Sequence, residues 1–171
     1  MDHSAHSLYS SYREALIEHL FVGQLLTYAW LKGPIPIEVM KPQVDDSGYD
    51  LVIECHNVVR HIQLKSSFIG SRTSKQTIHL RMADKPCGCI IWVYFSADTL
   101  ELGPFLFFGG KPGEPLPVLT DLKIARHTKA DSSGYKSERQ SHRIVPKKNF
   151  QRFGTLEELW VALFGTETNQ P

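Results

Sequence analysis

Three residues of one stretch, Asp50, Gln63 and Lys65, are of the types that handle a phosphate ester through a hard cation. A carboxylate and an amide carbonyl are oxygen donors of the kind Mg²⁺ prefers, and the backbone carbonyl of Leu64 offers a third oxygen. An ammonium beside them would orient or help deprotonate a water and offset charge on a pentavalent phosphorus. The chemistry open to such a set is hydrolysis of a phosphodiester.

For these groups to meet, the chain must fold back on itself. Leu51 to Cys55 and Val58 to Leu64 are rich in branched and apolar residues, and His56-Asn57 stands between them. Asn tolerates positive φ, so the pair reads as a two-residue hairpin turn. Cys55 then faces Val58, and counting back sets Asp50 opposite Gln63. Alternation predicts one face with Asp50, Val52, Glu54, Val59, His61, Gln63 and Lys65. The other carries Tyr49, Leu51, Ile53, Cys55, Val58, Arg60, Ile62 and Leu64. A three-residue loop would separate Asp50 from Gln63, because a one-residue slip reverses every side chain.

The flanking segments supply a frame. Residues 8–31 repeat apolar positions at helical spacing, with Ser4 or Ser7 as a cap and Gly33-Pro34 as the stop. This helix carries Glu14 and Glu18 one turn apart. Residues 37–40 lie among prolines and read as a short edge strand. The run 66–75 is small, basic and loop-like, and 77–85 fits a strand or a helix equally. Cys89 to Phe95 reads as a central strand buried on both faces. Leu100 to Phe108 suggests a strand interrupted at Gly103-Pro104. Thr155-Leu156-Glu157-Glu158 is a capping box opening a helix over 155–164.

Read together, an acid on a leading helix, then Gly48-Tyr49-Asp50 and an apolar run, then Gln63-Leu64-Lys65-Ser66-Ser67, resemble the PD-(D/E)XK nuclease superfamily in its Q-x-K form. The resemblance covers about residues 10 to 95. It implies an α/β (α+β) fold with a restriction-endonuclease-like core, a mixed β-sheet flanked by helices in the order α-β-β-β-α-β. It implies that Asp50 and Gln63 bind Mg²⁺, with Mn²⁺ able to substitute. Lys65 becomes the motif lysine, and Glu18 the helix carboxylate that assists at the metal, with Glu14 as second choice. The chain departs from the family pattern in two places. Tyr49 precedes the acid where proline is common, and Gln63 replaces a carboxylate. The second departure removes one negative charge and places more weight on Glu18.

The function implied is a Mg²⁺-dependent endonuclease acting on DNA. The alternative is a non-catalytic nucleic-acid-binding or protein-interaction module on the same fold. Segment 122–148 holds eight Lys or Arg against two acids, a net charge of +6, in a chain whose overall charge is only +1. Lys123, Arg126, Lys129 and Arg143 of this segment, with Ser66, Ser67, Arg72 and Lys75 of the small basic run 66–75, are candidate contacts to a nucleic-acid backbone. The 171 residues are expected to form one domain, with its core over about 8–95, the basic extension 122–148 and the terminal helix. Three cysteines, an odd number, without a secretory leader point to a reducing, cytoplasmic setting. Cys87 and Cys89 have the wrong spacing for a zinc knuckle and read as structural. No apolar run is long enough to span a bilayer. A homodimer is expected by analogy with nucleases that straddle a duplex.

Overall fold

The computed structural model describes residues 8–33, 35–44, 47–127 and 134–166. In chain order the elements are α1 (Ser10–Leu31), β1 (Ile37–Met40), β2 (Leu51–Cys55), β3 (Val58–Phe68), β4 (Lys75–His79), β5 (Gly88–Phe95), β6 (Leu102–Gly109), β7 (Ile124–Arg126), β8 (Glu138–Pro146), β9 (Gln151–Phe153) and α2 (Leu156–Phe164). A 3₁₀ turn, Leu80–Asp84, leads from β4 towards β5, and another, Lys147–Asn149, from β8 towards β9. The class is mixed α+β, as expected. A six-stranded sheet runs β1-β2-β3-β5-β6-β9, and a three-stranded sheet runs β4-β8-β7. Among the described residues no helix is long and apolar enough to cross a membrane.

The hairpin closes on two residues. Cys55 pairs with Val58, and His56 and Asn57 take φ of 51° and 60°. Both central residues of a type I′ turn need positive φ. The register Leu51 to Ile62 through Cys55 to Val58 follows from that turn. β1 is an edge strand, antiparallel to β2. β5 pairs parallel with β3 and antiparallel with β6, and all eight of its residues are buried.

Burial on both faces of β5 reflects two cores. Cys89, Ile91, Val93 and Phe95 join Leu51, Ile53 and Ile62 under α1 and α2. Ile90, Trp92 and Tyr94 point the other way and pack with Ile78, Met82, Val145 and Phe150. The helices thus share one face of the large sheet, and the small sheet covers part of the other. α1 buries Ile17, Phe21, Leu25 and Ala29, spaced four apart. Its N-cap is Tyr9, without a side-chain cap bond; Ser4 and Ser7 lie outside the described residues. The capping box forms as read: Thr155 accepts from Glu158 N–H, and the Glu158 side chain accepts from Thr155 N–H.

Four expectations change. β3 does not end at Lys65; Ser66, Ser67 and Phe68 remain in the strand because they pair with Val93, Tyr94 and Phe95 of β5. The ambiguous 77–85 is strand and then 3₁₀ turn, where the superfamily order has a helix. Gly103-Pro104 does not end β6, but its pairing with β5 shifts register there, between Val93–Phe105 and Phe95–Leu102. Tyr49 precedes the first paired residue of β2, so alternation does not govern it. Its ring stands edge-on to His61, centroids 5.1 Å apart, on the face opposite to the one expected.

Arg60 lies on the apolar face of the hairpin and is fully buried. Its Nε donates to the Leu163 carbonyl at 2.8 Å, and its Nη2 to the carbonyls of Ala162 at 2.9 Å and Gly110 at 3.2 Å. Ala162 and Leu163 belong to the last turn of α2, whose carbonyls have no partner within the helix and which carries the negative end of the helix dipole. The guanidinium also lies 5.7 Å from the Phe107 ring centroid. It ties α2 to the sheet without any carboxylate. Arg60→Ala would strip those carbonyls and leave a cavity. The expected cost is about 3 kcal/mol, a fall in Tm on the order of 10 °C, with Arg60→Met recovering part by volume alone. Thermal unfolding by circular dichroism measures both variants.

Candidate active site

β3 continues beyond the point where β2 begins. The last β2 pair is Leu51 with Ile62, and the Asp50 N–H still donates to the Ile62 carbonyl at 2.8 Å. From Gln63 onward β3 has β5 on one side and no strand on the other. In a strand one residue's N–H and C=O point to the same side, so the Leu64 N–H and carbonyl face this gap, as those of Ile62 face β2. A buried N–H needs an acceptor. The Asp50 carboxylate supplies it, with Oδ2 2.6 Å from Leu64 N. Asp50 is therefore held at the mouth of the gap by a charge-assisted bond.

The N-terminal half of α1 roofs the gap. Glu14, Ile17 and Glu18 of the helix, Asp50, and Leu64, Lys65 and Ser66 of β3 line a cavity of about 500 Å³. The structure thus brings Asp50, Leu64, Lys65 and Glu18 together, with Glu14 beside them. Glu18 is partly shielded and forms an ion pair with Lys41, while Glu14 is more exposed and lies 3.4 Å from Arg13.

Gln63 is placed differently. It is 93% buried and lines a second cavity, of about 560 Å³, with Lys65, Arg72, Thr73, Ser74, Lys75, Gln76, Thr77, Arg139 and His142. The expected common face for Asp50, Gln63 and Lys65 is thereby modified. Asp50 stands outside the regular strand and turns to the Leu64 amide, whereas Gln63 and Lys65 follow the β3 alternation. Lys65 borders both cavities. Gln63 Oε1 is buried with no hydrogen-bond partner among the described residues, so an amide oxygen is left for a cation or a water.

The donor chemistry suits a hard ion: carboxylates at Asp50, Glu14 and Glu18, an amide oxygen at Gln63 and a carbonyl at Leu64. Among the described residues no three His, Cys, Asp or Glu side chains stand close enough to hold a metal by themselves. A bound ion would depend on amide and backbone oxygens. The cysteines are all free and buried, and burial pushes the Cys55 thiol up to about 11 and Cys89 up to about 12, so both stay protonated near neutrality.

The other nucleic-acid candidates divide. Arg72 and Lys75 line the second cavity, and Ser66 lines the first. Ser67 Oγ accepts from Trp92 Nε1 at 3.0 Å. Arg143 Nη1 donates to the carbonyls of Gln140 and His142, and Arg126 lies 3.8 Å from Glu138. Lys123, Arg126 and Arg143 line neither cavity. Lys129 lies outside the described residues. Sequence reasoning passed over Gln76, Arg139 and His142, which come from β4 and β8; only the net +6 of segment 122–148 hinted at the last two.

Arg139 Nη2 lies 2.7 Å from His142 Nε2. Arginine can only donate, so that ring nitrogen accepts and the imidazole is neutral. The proton then sits on Nδ1, 2.9 Å from Ser141 Oγ. Desolvation, followed by the charges of Arg139 and neighbouring groups, holds the His142 pKa below the usual imidazole value. His61, whose register partner is Val52, is lowered by desolvation and then by Lys85.

Both imidazoles bind a proton more weakly folded than unfolded. Above the ordinary value of 6.5 neither state is protonated and their contribution is constant. Below it the unfolded chain takes up protons first, so stability falls with decreasing pH until the folded-state values are reached. Tm should therefore be level from about pH 8 to 7 and decline from about pH 6.5 downward. His61→Gln should make that decline shallower, as differential scanning fluorimetry across pH would measure.

No protein-family model matches the chain. No curated protein matches it. Among solved structures, the bacterial homing endonuclease I-Ssp6803I is similar, with 23% sequence identity over 69% of this chain and 82% of that one and a TM-score of 0.30.

Proposed function

We propose that the chain is a Mg²⁺-dependent nuclease that hydrolyses phosphodiester bonds in DNA. The observation that carries this reading is the gap beside β3, where Asp50, the Leu64 carbonyl, Lys65 and the α1 carboxylates line one cavity. The Q-x-K motif and the parallel pairing of β5 with β3 support it. Asp50 and the Leu64 carbonyl would hold the ion, with Glu18 assisting, and the Gln63 amide oxygen would join them by turning from the adjoining cavity. Bound Mg²⁺ would supply positive charge beside the scissile phosphate and acidify a coordinated water.

The protein's own groups have separate tasks. Asp50 is fixed by the Leu64 N–H, which limits its rotation and orients its carboxylate before substrate arrives. Lys65 places an ammonium at the boundary of the two cavities. There it orients the attacking water and offsets charge as the phosphorus becomes five-coordinate. Glu18 would have to exchange its Lys41 partner for the ion, a competition that raises the Mg²⁺ concentration needed.

A second reading, a binding module without catalysis, is favoured by one observation: no three conventional ligands converge among the described residues. Incubation with supercoiled plasmid or branched DNA separates the two. The nuclease reading expects cleavage in Mg²⁺ or Mn²⁺, none in EDTA, and rates at least about 100-fold lower in Asp50→Ala and Lys65→Ala. Undiminished cleavage by both variants would refute it. Absence of cleavage, with DNA bound and no metal-binding heat by calorimetry, would establish the module instead.

A further inference from the structure

The second cavity has the opposite electrostatic character from the first. Its lining holds Lys65, Arg72, Lys75 and Arg139 and no carboxylate, and its other side chains are hydroxyls, amides and an imidazole. The adjoining cavity is lined by Glu14, Glu18 and Asp50, with Lys65 at the common border. Clustered cations with hydroxyl donors and no apolar side chain make a surface for phosphate oxygens, which accept from Arg, Lys, Ser and Thr and carry no sequence information. Arg72, Thr73, Ser74 and Lys75 are exposed at the rim. Among the described residues neither Lys65, Arg72 nor Lys75 is engaged in an ion pair. Arg139 is held in place by its bond to His142 Nε2.

We propose that this basic groove is a phosphodiester-backbone site, in which Arg72, Lys75 and Arg139 grip the nucleic acid through phosphates on one side of Lys65 only. The polarity follows from the charges: a polyanion enters the basic groove directly, whereas the carboxylates repel it from the other cavity unless a cation intervenes. The strand therefore approaches from the β4–β8 sheet, and its affinity resides there and not at Asp50. The position of the scissile phosphate beside Lys65 rests on the nuclease reading; the binding itself does not.

The test is fluorescence anisotropy of a short fluorescein-labelled DNA duplex in EDTA, with KCl varied over about 50 to 300 mM. Arg72→Gln, Lys75→Gln and Arg139→Gln should each weaken binding about fivefold to tenfold and reduce the slope of log Kd against log salt by about 1. Arg139→Lys should retain much of the affinity, and Lys111→Gln, which lines neither cavity, should bind like the wild type. Arg72 lies in the loop after β3, so its variant stays informative even where Arg139→Gln impairs folding. Inorganic phosphate at matched ionic strength should leave the duplex bound. The proposal fails where the wild type does not bind DNA, where Arg72→Gln and Lys75→Gln keep wild-type affinity and salt slope, or where inorganic phosphate displaces the duplex. Weaker groove variants in a protein that cleaves nothing would uphold the groove and reject the nuclease. Cleavage with unaltered groove variants would do the reverse.

Discussion

β3 is paired with β5 along eight residues, His61 to Phe68, but with β2 only along Val58 to Ile62. A parallel pair buried under other elements cannot be displaced without exposing its backbone groups, so β5 fixes the path of β3 whether or not β2 accompanies it. On the unaccompanied side the Leu64 amide needs an acceptor, and the Asp50 carboxylate is the group that the end of the hairpin delivers. The opening of the candidate active site is thus what remains when one strand outruns its neighbour. The roof over it is α1, pressed onto the same face by Ile17, Phe21 and Leu25.

The same strand sorts charge. Its alternation sends Gln63 and Lys65 towards the small sheet, while its backbone at Leu64 faces the carboxylates of Asp50, Glu14 and Glu18. Lys65 of this strand and Gln76 of β4 border both the acidic and the basic compartment. β3 is supported by the central strand and by Arg60, which anchors the end of α2 beneath the hairpin.

Much of this was legible in residue order. The His56-Asn57 turn set the hairpin register, because the side-chain period of two leaves no freedom once the loop length is known. The run Cys89 to Phe95 announced a strand buried on both faces, and the capping box located the start of α2. The reading went astray where pairing, not local pattern, decides. Ser66 to Phe68 looked like a loop but are strand because β5 supplies partners. Tyr49 seemed to continue the alternation but precedes the first paired residue. Arg60, on the apolar face, revealed nothing of its partners, which lie about a hundred residues away in α2.

The sequence by itself determined the hairpin, the spacing of Asp50, Gln63 and Lys65, the excess of positive charge in 122–148 and the helix bearing Glu14 and Glu18, since each depends on short-range spacing. Only the tertiary structure decided that Asp50 turns to the Leu64 amide while Gln63 lines the other cavity. It also decided that Glu18 pairs with Lys41, and that Arg139 and His142 of β8 join Arg72 and Lys75 around one groove. The physical reason is that these neighbours are set by where β3 ends relative to β2 and by how the small sheet lies against the large one. Both are consequences of packing between segments far apart in the chain, and no local periodicity encodes them.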